Sequence, residues 1–237
     1  MFEDESVPSS ALPSGDRAET VQQLQARIRA MQATGLGTRT LPTHPSLAPL
    51  LPGGALKAGA AYAVPASPAL AMLMLAGPGS AGGWCGVVGV PDFGIEAATG
   101  LGVDLDRLVL IPDPGEHWLA VTAQVADVLP LVLVRPPLRA APGEIARLAS
   151  RLRQRGATLV VLGPWTQAEA TLEIETSSWT GLGAGSGYLA GREALVAVTV
   201  REVRTLHRVR MPGGFRIDAP AQPLEDVPAR PVRLEAV

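Results

Sequence analysis

Short, continuously apolar runs alternate with segments of helical periodicity through the middle of this chain. The runs at 60–64, 86–90, 108–111, 131–134 and 157–162 have the length and continuity of strands buried on both faces. Helices are predicted from Ser67-Pro68 to about residue 76, from Asp113 to about Val128 and over 144–155. Because strands and helices alternate, the pattern predicts an α/β fold in which a mostly parallel sheet carries helices on both faces.

Turn and capping residues set the predicted helix ends. Gly77-Pro78 is expected to end the first helix and Gly156 the last, since glycine tolerates the left-handed conformation that follows a helix. Asp113-Pro114-Gly115-Glu116 predicts the start of the middle helix, with Asp113 at the N-cap and Pro114 in the first turn.

The pattern changes after residue 170. Residues 171–176 alternate apolar and polar side chains, 195–203 is rich in strand-forming residues, and 208–211 and 215–218 flank a Pro-Gly-Gly turn. These segments predict antiparallel strands added at one edge of the sheet. Trp179 falls in the Ser/Gly-rich stretch SSWTGLGAGSG, which is predicted to be a mobile loop.

The two ends differ from the middle and divide the chain into three regions. Residues 1–40 combine an acidic start, expected to be disordered, with an amphipathic helix over 16–33 that carries Val21, Leu24, Ile28 and Met31 on one stripe. That N-terminal helix either packs on its own core or joins copies of the chain into a homo-oligomer. Residues 41–218 form the core, and 219–237 form a proline-rich C-terminal tail.

Composition narrows the candidate chemistry. The chain has 237 residues with a formal net charge of −2, which argues against wholesale wrapping of nucleic acid but permits a local basic face. The one cysteine, Cys85, excludes an intramolecular disulfide and a cysteine-rich metal site, and its apolar neighbours predict that it is buried. Prolines and glycines interrupt the uncharged run 58–91, so no membrane span and a cytoplasmic location are expected.

The segment AAYAVPASPALAMLML at 60–75 places a strand, a turn and a helix where a nucleotide-binding protein keeps its phosphate loop, G-x-x-x-x-G-K-[ST]. On that template the two glycines are Val64 and Ala69, the lysine is Leu70 and the hydroxyl is Ala71. None of these side chains supplies the flexibility, the cation or the magnesium ligand that the loop requires. The segment is therefore either a degenerate phosphate loop or an ordinary strand–turn–helix, and neither a cofactor nor a metal is predicted.

The segment LGVDLDRLVLIPDPGEHWLAV at 101–121 resembles the part of RecA-type recombinases that joins the second and third core strands to the next helix. In the same register VPASPALA lies at the phosphate loop, GVVGV at the strand that normally carries the catalytic glutamate, and LVLVRPP at the strand that normally ends in the magnesium-binding aspartate. The late segment VAVTVREVRTLHRVRMPGGFRID resembles ImuA-type proteins, including the shorter ImuA-prime of actinobacteria.

The resemblance implies a RecA-like core over 41–218, with Val90 and Arg135 where acids normally lie. It also implies a role as a non-catalytic adaptor, not an enzyme, in the mutasome that carries out translesion synthesis after DNA damage, as part of the SOS response. The implied partner is a Y-family polymerase homologue, with RecA and single-stranded DNA as further candidates.

Two alternatives remain open at the level of sequence. An atypical NTPase, or a modulator of recombination, would need a cation such as Arg135 or Arg139 at the phosphates. Direct DNA binding would use a basic β segment and an exposed aromatic residue, although charge on an edge strand also protects against aggregation. The candidates for this contact are Arg201, Arg204, Arg208, Arg210, Arg216 and Trp179, whereas Trp118 is expected in the core.

Overall fold

The computed structural model describes residues 39–183, 186–212 and 222–224. Its strands are β1 (Thr40–Leu41), β2 (Leu56–Lys57), β3 (Ala61–Ala63), β4 (Cys85–Val88), β5 (Leu108–Ile111), β6 (Leu131–Val134), β7 (Thr158–Val161), β8 (Ala170–Gly183), β9 (Ser186–Val200), β10 (Val203–Pro212) and β11 (Gln222–Leu224). Its α-helices are α1 (Pro68–Ser80), α2 (Ile95–Gly100), α3 (Trp118–Val128) and α4 (Pro142–Arg155). Short 3-10 turns occupy Pro45–Leu50, Pro52–Gly54, Leu105–Arg107 and Gly115–His117.

Nine of these strands form one mixed sheet in the order β11-β10-β9-β8-β3-β7-β6-β4-β5, and β1 pairs separately with β2. Every pairing from β8–β3 to β4–β5 is parallel, whereas β8–β9, β9–β10 and β10–β11 are antiparallel. The prediction of an α/β fold with a mostly parallel sheet and an antiparallel edge is confirmed.

Both faces of the parallel strands β3, β4, β6 and β7 are covered, as their continuous apolar runs predicted. Side chains such as Tyr62 and Leu133 face a core that includes α1, α2 and the turn at Pro45–Leu50. Their chain neighbours, such as Ala63 and Val132, face a second core that includes α3 and α4. Alternate residues of a strand point to opposite faces, so a strand buried on both sides is apolar throughout.

The predicted end of α1 at Gly77-Pro78 is wrong, because the helix continues to Ser80. Gly77 serves packing instead: a Cβ at this position would lie 2.6 Å from the Pro42 carbonyl oxygen and 2.7 Å from the His44 nitrogen. The missing side chain lets the segment before the first 3-10 turn cross the helix closely.

The other helix ends were predicted with mixed success. Gly156 ends α4 in the left-handed conformation, with φ of 70°, as expected. The α-helix α3 begins at Trp118 instead of Asp113, because the Asp113 carboxylate accepts a hydrogen bond from the Gly115 amide and a 3-10 turn follows. The short helix α2 was not predicted.

Trp179 does not lie in a loop, which corrects the sequence prediction. Only Ala170 and Thr171 of β8 pair with β3, and from there β8 pairs with β9 as far as Gly183↔Ser186. Residues 177–183 of the Ser/Gly-rich stretch therefore belong to one arm of a long β hairpin and pair with β9. Small polar residues suit the part of this arm at 177–180, where the side chains are exposed.

Several predictions fall outside the described residues, among them the helix over 16–33 and the strand over 215–218. Residues 222–224, which the sequence assigned to the tail, pair with β10. Among the helices that the structure describes, none has the length and the apolarity that would let it cross a membrane.

Candidate functional site at the carboxyl edge of the parallel strands

The segments that follow β3, β4, β6 and β7 lie at one edge of the sheet, because parallel strands end on the same side. In open α/β sheets this edge is where ligands bind. It holds the phosphate-loop position, an acid–arginine pair and a cavity.

At the phosphate-loop position, the backbone amides of Val64, Leu70 and Ala71 form hydrogen bonds inside the protein. The Val64 amide donates to the Val161 carbonyl at 2.8 Å, so this residue continues the ladder of β3. The Leu70 amide donates to the Ser67 hydroxyl at 3.3 Å, and the Ala71 amide donates to the Ser67 carbonyl at 3.1 Å. Ser67 is thereby the N-cap of α1 and is itself buried.

Three of the four template side chains face the core, whereas Pro65, Ala66 and Pro68 are exposed. Val64, Leu70 and Ala71 are buried with the apolar residues on the α1 side, and Ala69 is partly exposed. Pro65 and Pro68 have no amide hydrogen, and no residue from 64 to 71 has a positive φ. The segment therefore lacks the backbone turn and the cation with which a phosphate loop surrounds an anion, and its two prolines contribute no N–H donor.

The acid–arginine pair joins Arg135, directly after β6, to Asp92, in the turn after β4. Arg135 Nη1 donates a hydrogen bond to Asp92 Oδ1, and the bond holds the pKa of the Asp92 carboxyl below its ordinary value of 3.8. The sequence placed Arg135 at this edge but missed Asp92. The available signal was the position of Asp92, two residues after the strand predicted over 86–90.

A cavity of about 490 Å³ opens where β6 and β7 end, beside the start of α4. Trp165 is buried at one side of it, and the exposed Leu138 and Arg139 lie in the loop on the other. Pro136, Pro137 and Pro164 also line it. The sequence did not predict this cavity, since its two loops lie about one helix apart in the chain.

The arginines of β10 share one face, as their alternation predicted, but each is paired with a glutamate. Arg204 bonds to Glu175, and Arg208 and Arg210 lie 3.3 and 3.7 Å from Glu193. Arg201 lies in the exposed turn between β9 and β10. Arg216 lies outside the described residues.

The tryptophans considered as DNA contacts differ in exposure as the sequence predicted for Trp118 and Trp179. Trp118 and Trp165 are buried, whereas Trp179 is half-exposed. The guanidinium of Arg192, a residue of the adjacent strand β9, lies 5.3 Å from the centre of the Trp179 ring.

Cys85 is buried, as the sequence predicted. Its thiol lies 3.7 Å from the Leu75 carbonyl oxygen, and burial raises the pKa of the thiol to about 12.

Across the part of the chain that the structure describes, no group of three or more His, Cys, Asp or Glu residues is placed to hold a metal ion.

The order and direction of the strands make this an α/β protein with a mostly parallel sheet and an antiparallel extension. It belongs to the family described as the MT3502 N-terminal domain, whose model matches residues 49–167, half of the chain.

Over 120 residues the chain is 38% identical to a protein of Mycobacterium tuberculosis (strain ATCC 25618 / H37Rv) that bears the name "Uncharacterized protein Rv3395c". The similar region covers 49% of this chain and 59% of that relative, so the chain spans little more than half the length of the relative. The family match includes the phosphate-loop position, the Asp92–Arg135 pair and every residue that lines the cavity. Trp179 and the arginines of β10 lie beyond it.

Proposed function

We propose that this protein has a RecA-like core and acts as a non-catalytic adaptor of the translesion-synthesis mutasome, where it binds a Y-family polymerase homologue. The proposal joins the resemblance of residues 101–121 and of the late segment to one structural observation. That observation is the use of the Val64, Leu70 and Ala71 amides inside the protein, at the place where a nucleotide's phosphates would be held.

The groups that phosphoryl-transfer catalysis requires favour an adaptor over an NTPase, because the segment 64–71 does not supply them. Phosphoryl transfer is catalysed almost wholly by positioning and by electrostatic stabilisation from a cation and a metal. The residues from 64 to 71 do not fit a magnesium–nucleotide complex, since they contribute neither a cation nor a hydroxyl that is free of the helix cap. A protein that keeps the scaffold without these groups acts through its surfaces.

The alternative of an NTPase that uses Arg135 or Arg139 has less support. Arg135 is held by Asp92, and Arg139 lines the cavity beside α4, where none of the residues 64–71 contributes. The alternative of DNA binding by β10 is weakened by the glutamates, since Glu175 and Glu193 neutralise much of the charge on that face.

Two measurements on the full chain test the proposal. A thermal-shift titration with millimolar Mg-ATP or Mg-ADP is expected to leave the melting temperature unchanged, since a bound ligand would raise it. Co-purification from cells with damaged DNA is expected to recover the polymerase homologue. Nucleotide turnover by the pure protein would overturn the non-catalytic role, and recovery of a metabolic enzyme complex in place of the polymerase would overturn the mutasome assignment.

A further inference from the structure

We infer that the cavity between the loops after β6 and β7 binds a short acidic, apolar peptide of a partner protein. The cavity lies at the carboxyl edge of two adjacent parallel strands, the usual ligand position in such sheets. Its volume of about 490 Å³ is in the range of sites that enclose a small ligand or a few side chains.

The residues that line the cavity make the contact with the proposed peptide mainly apolar. Pro136, Pro137 and Pro164 offer no backbone N–H, so an added β-strand could not bond along them. Their rings and the buried Trp165 form a rigid surface that loses little conformational entropy when a ligand binds. Leu138, 70% exposed, extends this apolar surface beyond the cavity to the rim.

The charge at the rim of the cavity indicates that the peptide is acidic. Arg139 lies beside Leu138 and is exposed, and it takes part in none of the ion pairs formed by the described residues. Arg135, four residues earlier, is already held by Asp92. The free guanidinium at the rim therefore favours a carboxylate next to the apolar side chain that fills the cavity.

A peptide fits this surface better than a small polar metabolite. Small-molecule sites fix their ligands with several convergent polar groups, whereas the polar side chains that line this cavity are those of Arg139 and Thr166 alone among the described residues. An apolar surface that continues from the cavity onto Leu138 suits an extended chain with more than one anchoring side chain. Aspartate or glutamate next to leucine, proline or an aromatic residue has the matching chemistry.

The test uses the full chain as bait for a display library of short random peptides. We expect the selected peptides to carry a carboxylate beside an apolar residue. A synthetic copy of one of them should bind about tenfold or more weakly to R139E, and L138D should weaken it similarly. Replacing the acid of the peptide by its amide should have a comparable effect, and added salt should weaken binding.

Two variants at other positions are the matched controls. R153E reverses another exposed arginine without an ion pair among the described residues, and V128D places a charge on a residue that is 81% exposed at the other edge of the sheet. Both should bind the peptide as the unmodified chain does. Failure to select any peptide, selection of peptides without carboxylates, or unchanged binding to R139E would each overturn the inference.

The inference rests on the adaptor role only in that it names a protein segment as the occupant. The selection uses no mutasome protein, so the two proposals fail separately. A successful selection together with a failed co-purification would count against the mutasome assignment alone, and the reverse result would count against the cavity.

Discussion

Arg135, the first residue after β6, bonds to the carboxylate of Asp92, although the two lie 43 residues apart in the chain. The bond links the loops after two neighbouring strands at the edge where an α/β protein would bind its ligand. The acid at this edge is thus already paired with a cation of the chain. The titration of the Asp92 carboxyl can therefore be used to probe this edge of the sheet.

Replacing Arg135 should return the pKa of Asp92 towards its ordinary value of 3.8. In R135M we expect the carboxyl resonance of Asp92 to titrate at higher pH than in the unmodified chain, as followed by carbon-13 NMR. R139M is the control, because Arg139 does not contact Asp92. Identical titration of Asp92 in R135M and the unmodified chain would contradict the pairing.

The Asp92–Arg135 pair should make the free energy of unfolding depend on pH in the acidic range. Because the folded-state pKa of Asp92 is depressed, its contribution is present above the ordinary value of 3.8 and is lost as the pH falls through the lower folded value. Denaturation across this acidic window should therefore be less dependent on pH in R135M.

Removing the Ser67 hydroxyl should destabilise the fold by about 1 kcal/mol, because this group caps α1 through the Leu70 amide. S67T keeps the hydroxyl and should retain most of the stability. Urea unfolding of S67A and S67T measures the difference. Equal stabilities for these two variants would show that the serine is not needed as a cap.

Gly77→Ala should destabilise the protein by about 1–3 kcal/mol, as expected for overpacking. Helix propensity alone predicts the opposite sign, a gain of about 1 kcal/mol. The clash prevails because the new Cβ would meet backbone atoms of Pro42, Thr43 and His44, which cannot move as a flexible side chain can.

G100A is the control for this effect, since a Cβ at the end of α2 would have no heavy atom within 4 Å. It should leave stability unchanged or raise it slightly. Thermal unfolding of both variants decides the matter, and a stabilised G77A would show that the crossing segment is not packed on α1.

The Cys85 thiol should be unreactive in the folded protein. Burial raises its pKa to about 12 from an ordinary 9.0, so the reactive thiolate is scarce at neutral pH. A colorimetric thiol reagent at pH 8 should label the chain only after denaturant is added. Rapid labelling of the native protein would contradict the buried position.

This thiol also opposes folding at alkaline pH. Above the ordinary value of 9.0 the unfolded chain loses the proton while the folded chain keeps it, so stability should decline as the pH rises from 9 towards 12. C85A should lose this part of the alkaline dependence, although it would also lose some packing.

The arginines of β10 should bind single-stranded DNA weakly, with a shallow dependence on salt, because Glu175 and Glu193 pair with them. Freeing these cations in the double variant E175Q/E193Q should tighten DNA binding and steepen its salt dependence, as followed by fluorescence anisotropy.

The triple variant R204A/R208A/R210A is the control and should flatten the salt dependence. If the double variant gains nothing, the pairing does not restrain DNA binding. An unchanged slope in the triple variant would exclude this face as a DNA contact.

The sequence by itself determined the class of fold and showed that the residues from 64 to 71 do not match a phosphate loop. The strands at 108–111 and 131–134 were predicted with the bounds observed, because each is a continuous apolar run. The expected burial on both faces is confirmed for 131–134 and is wrong for 108–111, which is the edge strand β5 and exposes Leu110. Gly156 was recognised as a helix end from local backbone preference. Such features depend on neighbours in the chain, so they can be deduced from residue order.

Only the tertiary structure decided which distant groups meet. It paired Arg135 with Asp92, neutralised the arginines of β10, brought two loops together around the cavity and made Gly77 a crossing point instead of a helix end. It also placed Trp179 in a strand, because the pairing of β8 with β9 outweighs the loop preference of serine and glycine. These relationships depend on the order and register of strands, which local patterns do not specify.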